Sequence, residues 1–133
     1  MILLDTHALL WLDTADRNLG RKTRALIEKH WAADKVGVSA ISFWEAGMLA
    51  ERGRFRTAVP IPDWRMRWLD AGLLEFPLDG GIAVRSMDLS GLPPDPADRF
   101  IAATALAKEA TLITADEKIL GWHHSLPRHD ART

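Results

Sequence analysis

The chain has 133 residues, 47% of them hydrophobic and 26% charged, with a formal net charge of −1 and no cysteine. These values fit one globular domain over residues 1–133 and exclude an overall cationic field, so a nucleic-acid partner must be held by local basic patches or through metal. The lack of cysteine excludes disulfides, zinc–thiolate sites and thiol nucleophiles, and suits a reducing cytoplasm.

MILLD opens as a short buried strand that runs straight into Asp5. It is too short for the apolar region of a signal peptide, and the longest nearly apolar run, FIAATALA at 100–107, falls far below the roughly 18 residues of a membrane span. A short helix over THALLWLDTA follows. Asn18 is placed to cap a second helix, LGRKTRALIEKHWAAD, with Leu19, Leu26, Ile27 and Trp31 on one face. VGVS at 36–39 reads as a strand. Ser39 or Ser42 caps the helix of SFWEAGMLAERG, where Ser42 and Glu45 have capping-box spacing and Gly53 marks the end. VPIPDW is a turn with Asp63 able to cap WRMRWLDAG. LLEFPL is a strand that Pro77 assigns to an edge or an end. GGIAVRSMDL is a short helix, SGLPPDP a loop, ADRFIAATALAKEA a helix, TLITA a strand and DEKILGW a last short helix. The tail HHSLPRHDART adds a weak edge strand or frays. The six tryptophans are expected in the core or at an interface.

Strands alternating with helices through short loops imply parallel pairing by helical crossovers. The expected fold is a three-layer α/β/α sandwich around a short, mainly parallel sheet of four or five strands. In such a sheet, ligands bind beyond the carboxyl ends of the strands. Asp5 lies at the end of the first strand and Asp116 just after TLITA. Glu45 lies in the helix after VGVS, and Asp98 in the first turn of the helix after the PPDP loop. Four acids from separated segments can therefore face one crevice.

Each acid also has a local reading. Asp5 and Asp116 can cap the helices they precede, Glu45 can close a capping box, and Asp95 and Asp98 suit a helix N-terminus. Capping does not exclude a second role, and recurrence at one end of the sheet favours one. Carboxylates crowded together repel, and some take up protons unless a cation intervenes. Hard oxygen ligands suit Mg²⁺ or Mn²⁺. One ion, or two about 3.5–4 Å apart, can activate water against phosphorus and steady the leaving oxygen without a protein nucleophile.

These residues resemble the PIN-domain ribonucleases, specifically the VapC-type toxins of toxin–antitoxin pairs. The resemblance spans nearly the whole chain: MILLDTHALLWL carries Asp5, VSAISFWEAGMLAERGRF carries Glu45, PPDPADRFIAATALA carries Asp98 and TLITADEKIL carries Asp116. It implies a PIN fold, dependence on Mg²⁺ or Mn²⁺, endonucleolytic RNA cleavage in the cytoplasm, a homodimer, and inhibition by a VapB-type antitoxin. Asp5, Glu45, Asp98 and Asp116 become the catalytic, metal-binding set. Thr6 and Thr114 match hydroxyls that flank the first and last acids, and Asp95 stands beside Asp98.

Arg17, Arg21, Lys22, Arg24, Arg52 and Arg54 form basic clusters that either grip RNA phosphates or simply solvate helix faces, since Glu28 and Glu51 are interspersed. Arg52, Arg54 and Arg99 are the candidate RNA contacts, with Arg99 either structural or facing substrate. His7 is placed to line the cleft, His30 on a helix surface, and His123, His124 and His129 on an exposed tail. A haloacid-dehalogenase phosphatase would need an aspartate where His7 stands, and a receiver domain an acidic pair and a lysine that are not apparent. A catalytically silent module of the same fold, binding RNA or protein, is the non-enzymatic alternative; it would usually have lost one of the acids.

Overall fold

The computed structural model describes residues 1–133. The strands are β1 (Ile2–Leu4), β2 (Val36–Ser39), β3 (Leu74–Phe76), β4 (Thr111–Thr114) and β5 (Arg128–Asp130). The helices are α1 (Thr6–Asp13), α2 (Arg21–Ala32), α3 (Ile41–Glu51), α4 (Ile61–Asp70), α5 (Gly80–Arg85), α6 (Pro96–Ala107) and α7 (Glu117–Leu120), with a 3₁₀ turn at Ser86–Asp88. The strands form one parallel sheet in the order β3-β2-β1-β4-β5.

Short parallel strands covered on both faces need apolar side chains at every position, and β1, Ile-Leu-Leu, supplies them. Alternation sends Ile2 and Leu4 to one face, with Val36, Val38, Ile113, Ile27 of α2 and Trp64 of α4. Leu3 goes to the other face, with Leu112, Ile82 of α5, Ile101 of α6 and Ile119 of α7. Helices on both faces complete the three layers. Leu3 is fully buried, and its truncation to alanine should cost about 2–5 kcal/mol through lost burial and the cavity left behind.

The order of strands places the site. From β1 the chain builds outward through β2 to β3, then returns across the sheet to add β4 and β5 on the other side of β1. The reversal falls between β1 and β4, and the loops leaving their carboxyl ends diverge into opposite layers and open a crevice.

Several helix starts differ from expectation. The N-cap of α2 is Gly20, not Asn18. The last residues of the chain cross Gly20, where Gly20 N donates to Ala131 O at 2.8 Å and Lys22 N to Thr133 O at 2.9 Å. A Cβ at position 20 would lie 2.1 Å from the Thr133 carbonyl carbon, so glycine alone fits. Helix α3 begins after Ala40, whose side chain cannot cap, and Ser39 Oγ accepts from Ile41 N, the first N–H of the helix, at 3.3 Å. The Ser42–Glu45 capping box does not form, because both residues already lie inside the helix. Pro60 starts α4, three residues ahead of Asp63, and its preset φ suits an entry where no side-chain cap is made. The tail forms the edge strand β5, and β3 is the opposite edge. Trp64 and Trp122 are core residues, whereas Trp44 is 58% exposed.

Candidate active site

A cavity of about 340 Å³ opens at the β1/β4 crevice, and Asp5, Glu45, Asp95, Asp98 and Asp116 all line it. The four acids expected from separated segments thus share one space with Asp95. Asp5 is held firmly. As the N-cap of α1 it accepts from Ala8 N through Oδ1 at 2.8 Å, and its Oδ2 accepts from the Thr114 hydroxyl at 2.5 Å. Thr114 ends β4, whose pairing with β1 aligns Leu4 with Ile113. Asp5 is therefore fixed from both sides of the crevice. The Asp116 N–H donates back to Thr114 Oγ1 at 3.1 Å, and Asp116 caps α7 through Lys118 N and Ile119 N. The local capping readings of Asp5 and Asp116 hold alongside their place in the cavity.

Glu45 reaches the cavity from α3. The Thr6 hydroxyl donates to its carboxylate and lies 3.0 Å from Ser42 Oγ. Thr6 thereby takes the contact that a capping box would have used. Asp95 caps α6 by accepting from Asp98 N at 3.3 Å, which leaves the Asp98 carboxylate projecting from the first turn with no hydrogen-bond donor of its own.

Arg99 does not line the acid cavity. Its guanidinium donates to the carbonyls of Pro93, Ser86 and Leu92 at 3.0, 3.0 and 2.6 Å, and so binds the PPDP loop to the 3₁₀ turn. Arg24 is spent likewise on the Leu19 and Asp16 carbonyls. Arg52 and Arg54 are exposed, and Arg52 borders a second cleft beside the acids. His7 lines the acid cavity; His30 Nδ1 sits 2.9 Å from Leu26 O. His129 pairs with Thr23, and His124 stacks on Trp122.

Trp11 and Arg132 are among the cavity residues not picked out from sequence. Trp11 lies one helical turn beyond His7 and packs edge-on to it at 6.4 Å, a spacing that could have revealed it. Arg132 follows β5; its Nη2 donates to Ala115 O at 2.8 Å, and Nη1 stands 3.7 Å from the exposed Glu117. No periodic pattern in the tail marks it.

Burial is the main force on the acids. It raises the Asp5 carboxyl above its ordinary value, against the hydrogen bonds from Thr114 and Ala8. It raises Glu45 too, against the Thr6 hydroxyl. Asp98 is raised from 3.8 to about 7, through burial first and then the charges of Asp95, Asp116, Glu45 and Asp5. Such gathered, uncompensated carboxylates fit a hard divalent cation, and the set offers oxygen alone. No three of the acids stand close enough to form a finished cage. Mg²⁺ tolerates this, since it retains waters and completes its shell with substrate phosphate.

The comparisons with known proteins agree with this architecture. The PIN-domain family model matches residues 2–120. Ribonuclease VapC22 of Mycobacterium tuberculosis is 32% identical over 127 residues, 95% of each chain. The chain belongs to the PIN-domain family, in its VapC-type branch. The fold is also that of VapBC2 from Rickettsia felis bound to a promoter DNA fragment, with TM-score 0.72 at 16% identity over 97% of this chain and 98% of the other. FitAB bound to the IR36 DNA fragment gives 0.68 at 22% identity over 100% and 96%. A toxin–antitoxin complex from Klebsiella pneumoniae gives 0.66 at 20% identity over 98% of each chain. No helix is long and apolar enough to cross a membrane.

Proposed function

We propose that this chain is an endoribonuclease that depends on Mg²⁺ or Mn²⁺, bound as one or two ions, and acts in the cytoplasm as the toxin of a toxin–antitoxin pair. The observation that carries the reading is the meeting of Asp5, Glu45, Asp98 and Asp116, from four separated segments, in one cavity at the sheet's switch point. RNA as substrate is supported by the ribonuclease relative. An antitoxin partner of VapB type is supported by the toxin–antitoxin complexes that share the fold. A homodimer is the working unit that the VapC resemblance implies. A catalytically silent module would not need all four acids, and all four are present.

The four carboxylates would hold the cation. When bound, it supplies charge neutralisation for the phosphate and a more acidic water. The chain's own groups prepare the cavity. Thr114 and the first turn of α1 keep both oxygens of Asp5 oriented, and Thr6 does the same for Glu45. These partners restrict rotation of the ligating side chains and tune their basicity. Asp98, proton-loving when the cavity is bare, ionises readily once positive charge is near. Asp95 orients the α6 start that presents Asp98. Arg52 and Arg54 are exposed cations placed to meet RNA phosphates, whereas Arg99 spends three of its five N–H groups on backbone carbonyls and lies outside the cavity lining.

The test uses purified protein free of antitoxin with a mixed RNA substrate. Internal cleavage should appear with Mn²⁺ or Mg²⁺, stop with EDTA, and fall at least about 100-fold in Asp5→Asn, the scale of losing a metal ligand or its support. If Asp5→Asn cuts as fast as the wild type, the activity has another source and the reading is wrong.

A further inference from the structure

The acid cavity continues past Glu45. A second cleft of about 310 Å³ shares His7, Glu45 and Asp95 with it and extends along the exposed side of α3 to Arg52. Trp44, Met48 and Leu49 of α3 with Pro96 and Ala97 of α6 give this cleft its apolar surface. Trp44 stands apart from the other tryptophans. The indole N–H groups of Trp31, Trp64, Trp68 and Trp122 are anchored by hydrogen bonds. Neither Trp11 nor Trp44 has such an anchor, but Trp11 is part-buried in the acid cavity whereas Trp44 is 58% exposed. Successive helix residues point about 100° apart, so Glu45 enters the acid cavity while Trp44 lies against the adjoining cleft.

Resting on the nuclease reading above, we propose that Trp44 is a stacking shelf for an unpaired base of the nucleotide next to the scissile phosphate, with Arg52 taking a neighbouring phosphate. A flat indole beside a guanidinium, opening into an acid-lined cavity, matches the alternation of base and phosphate along a single strand. A partner helix would call for apolar side chains repeated at i, i+4 and i+7. The apolar lining from α3 is Trp44, Met48 and Leu49, and position 51, where the repeat would need another, is the exposed Glu51. Stacking needs a free base face, so the shelf selects unpaired or looped RNA over duplex and tolerates many base identities.

The experiment measures binding of a fluorescein-labelled single-stranded RNA hexamer in Ca²⁺, which holds RNA without the cleavage chemistry of Mn²⁺. Trp44→Ala should bind about 5- to 150-fold more weakly, the range for losing a base–aromatic stack, and Trp44→Phe should retain most affinity. With wild-type protein, one abasic position in the hexamer should reproduce the loss, and Trp44→Ala should be blind to it. Duplex RNA should bind alike to wild type and Trp44→Ala. Cleavage in Mn²⁺ is scored separately. Cleavage that survives with unchanged Trp44→Ala affinity sinks the shelf and spares the nuclease. Trp44-dependent binding without cleavage sinks the nuclease reading and, with it, the shelf's place beside a scissile phosphate, leaving Trp44 as a base-stacking site alone. If RNA affinity is unchanged but Trp44→Ala no longer co-purifies with a co-expressed antitoxin, the face docks protein and the proposal is overturned. If wild-type protein neither cleaves nor binds the hexamer, both readings fall.

Discussion

Asp98→Asn should stabilise the metal-free protein, and by more at high pH. The carboxyl rises on folding from 3.8 to about 7, so the native state binds the proton more tightly than the unfolded chain. Stability from this group is greatest below pH 4 and declines as pH climbs toward 7, where the native carboxyl finally ionises. At ~1.4 kcal/mol per pH unit a fully shielded group would lose about 4 kcal/mol above pH 7. Asp98 is only part-buried, and solvent screening cuts that to ~1–2 kcal/mol. For a chain of this size the amide should raise Tm by about 3–8 °C at pH 8 in EDTA. The gap should shrink to about a third of that at pH 5, where wild type is already protonated. The assay is thermal unfolding of both proteins across pH 4–8, by calorimetry or circular dichroism. Mn²⁺ should then raise the wild-type midpoint more than the variant's, because ligand binding to the native state adds stability in proportion to affinity. Equal midpoints at pH 8, or a variant melting several degrees lower, would refute the electrostatic account and make Asp98 a structural residue.

Three further outcomes follow from the geometry. Arg99→Met should lower the urea-derived stability by about 2–4 kcal/mol, since the carbonyls of Pro93, Ser86 and Leu92 lose their donor together; a change under ~0.5 kcal/mol would mean that the bracing is idle. Thr114→Val should weaken Mn²⁺ binding by about 10- to 100-fold in calorimetric titration, because Asp5 Oδ2 loses its donor; undiminished affinity would free Thr114 of any role in orienting Asp5. Arg132→Met should leave the melting midpoint within about 2 °C, its only ion pair being exposed, yet slow RNA cleavage about tenfold by removing the one guanidinium that lines the acid cavity; a shift in Tm with unchanged kcat would reverse that assignment.

An acid was most legible where the chain marks its place twice, once by an apolar strand and once by the helix that starts beyond it. Asp5 and Asp116 carry both marks, and the alternation of strands and helices fixed the parallel sheet. The helix entries were less legible, since each was decided by contacts distant in the chain. Gly20 starts α2 because the tail crosses there, which a local preference for Asn18 could not register. Glu45 looked like half of a capping box, but the hydroxyl it accepts from belongs to Thr6, 39 positions away. Arg132 was invisible for a related reason. It reaches the cavity only because β5 adds to the edge of β4, and a three-residue edge strand leaves almost no pattern. Trp44, expected in the core or at an interface, lies exposed on α3 beside the acids because the cleft there is open.

Two segments far apart in the polypeptide meet at the crevice: the hydroxyl that orients Asp5 is translated 109 positions after it. β1 cannot find its second neighbour until β4 has been made. Until that segment has been made, Asp5 lacks its Thr114 donor and the acid cavity lacks Asp116. A cell that makes such a molecule has that interval in which to meet it with a binding protein before it can cut.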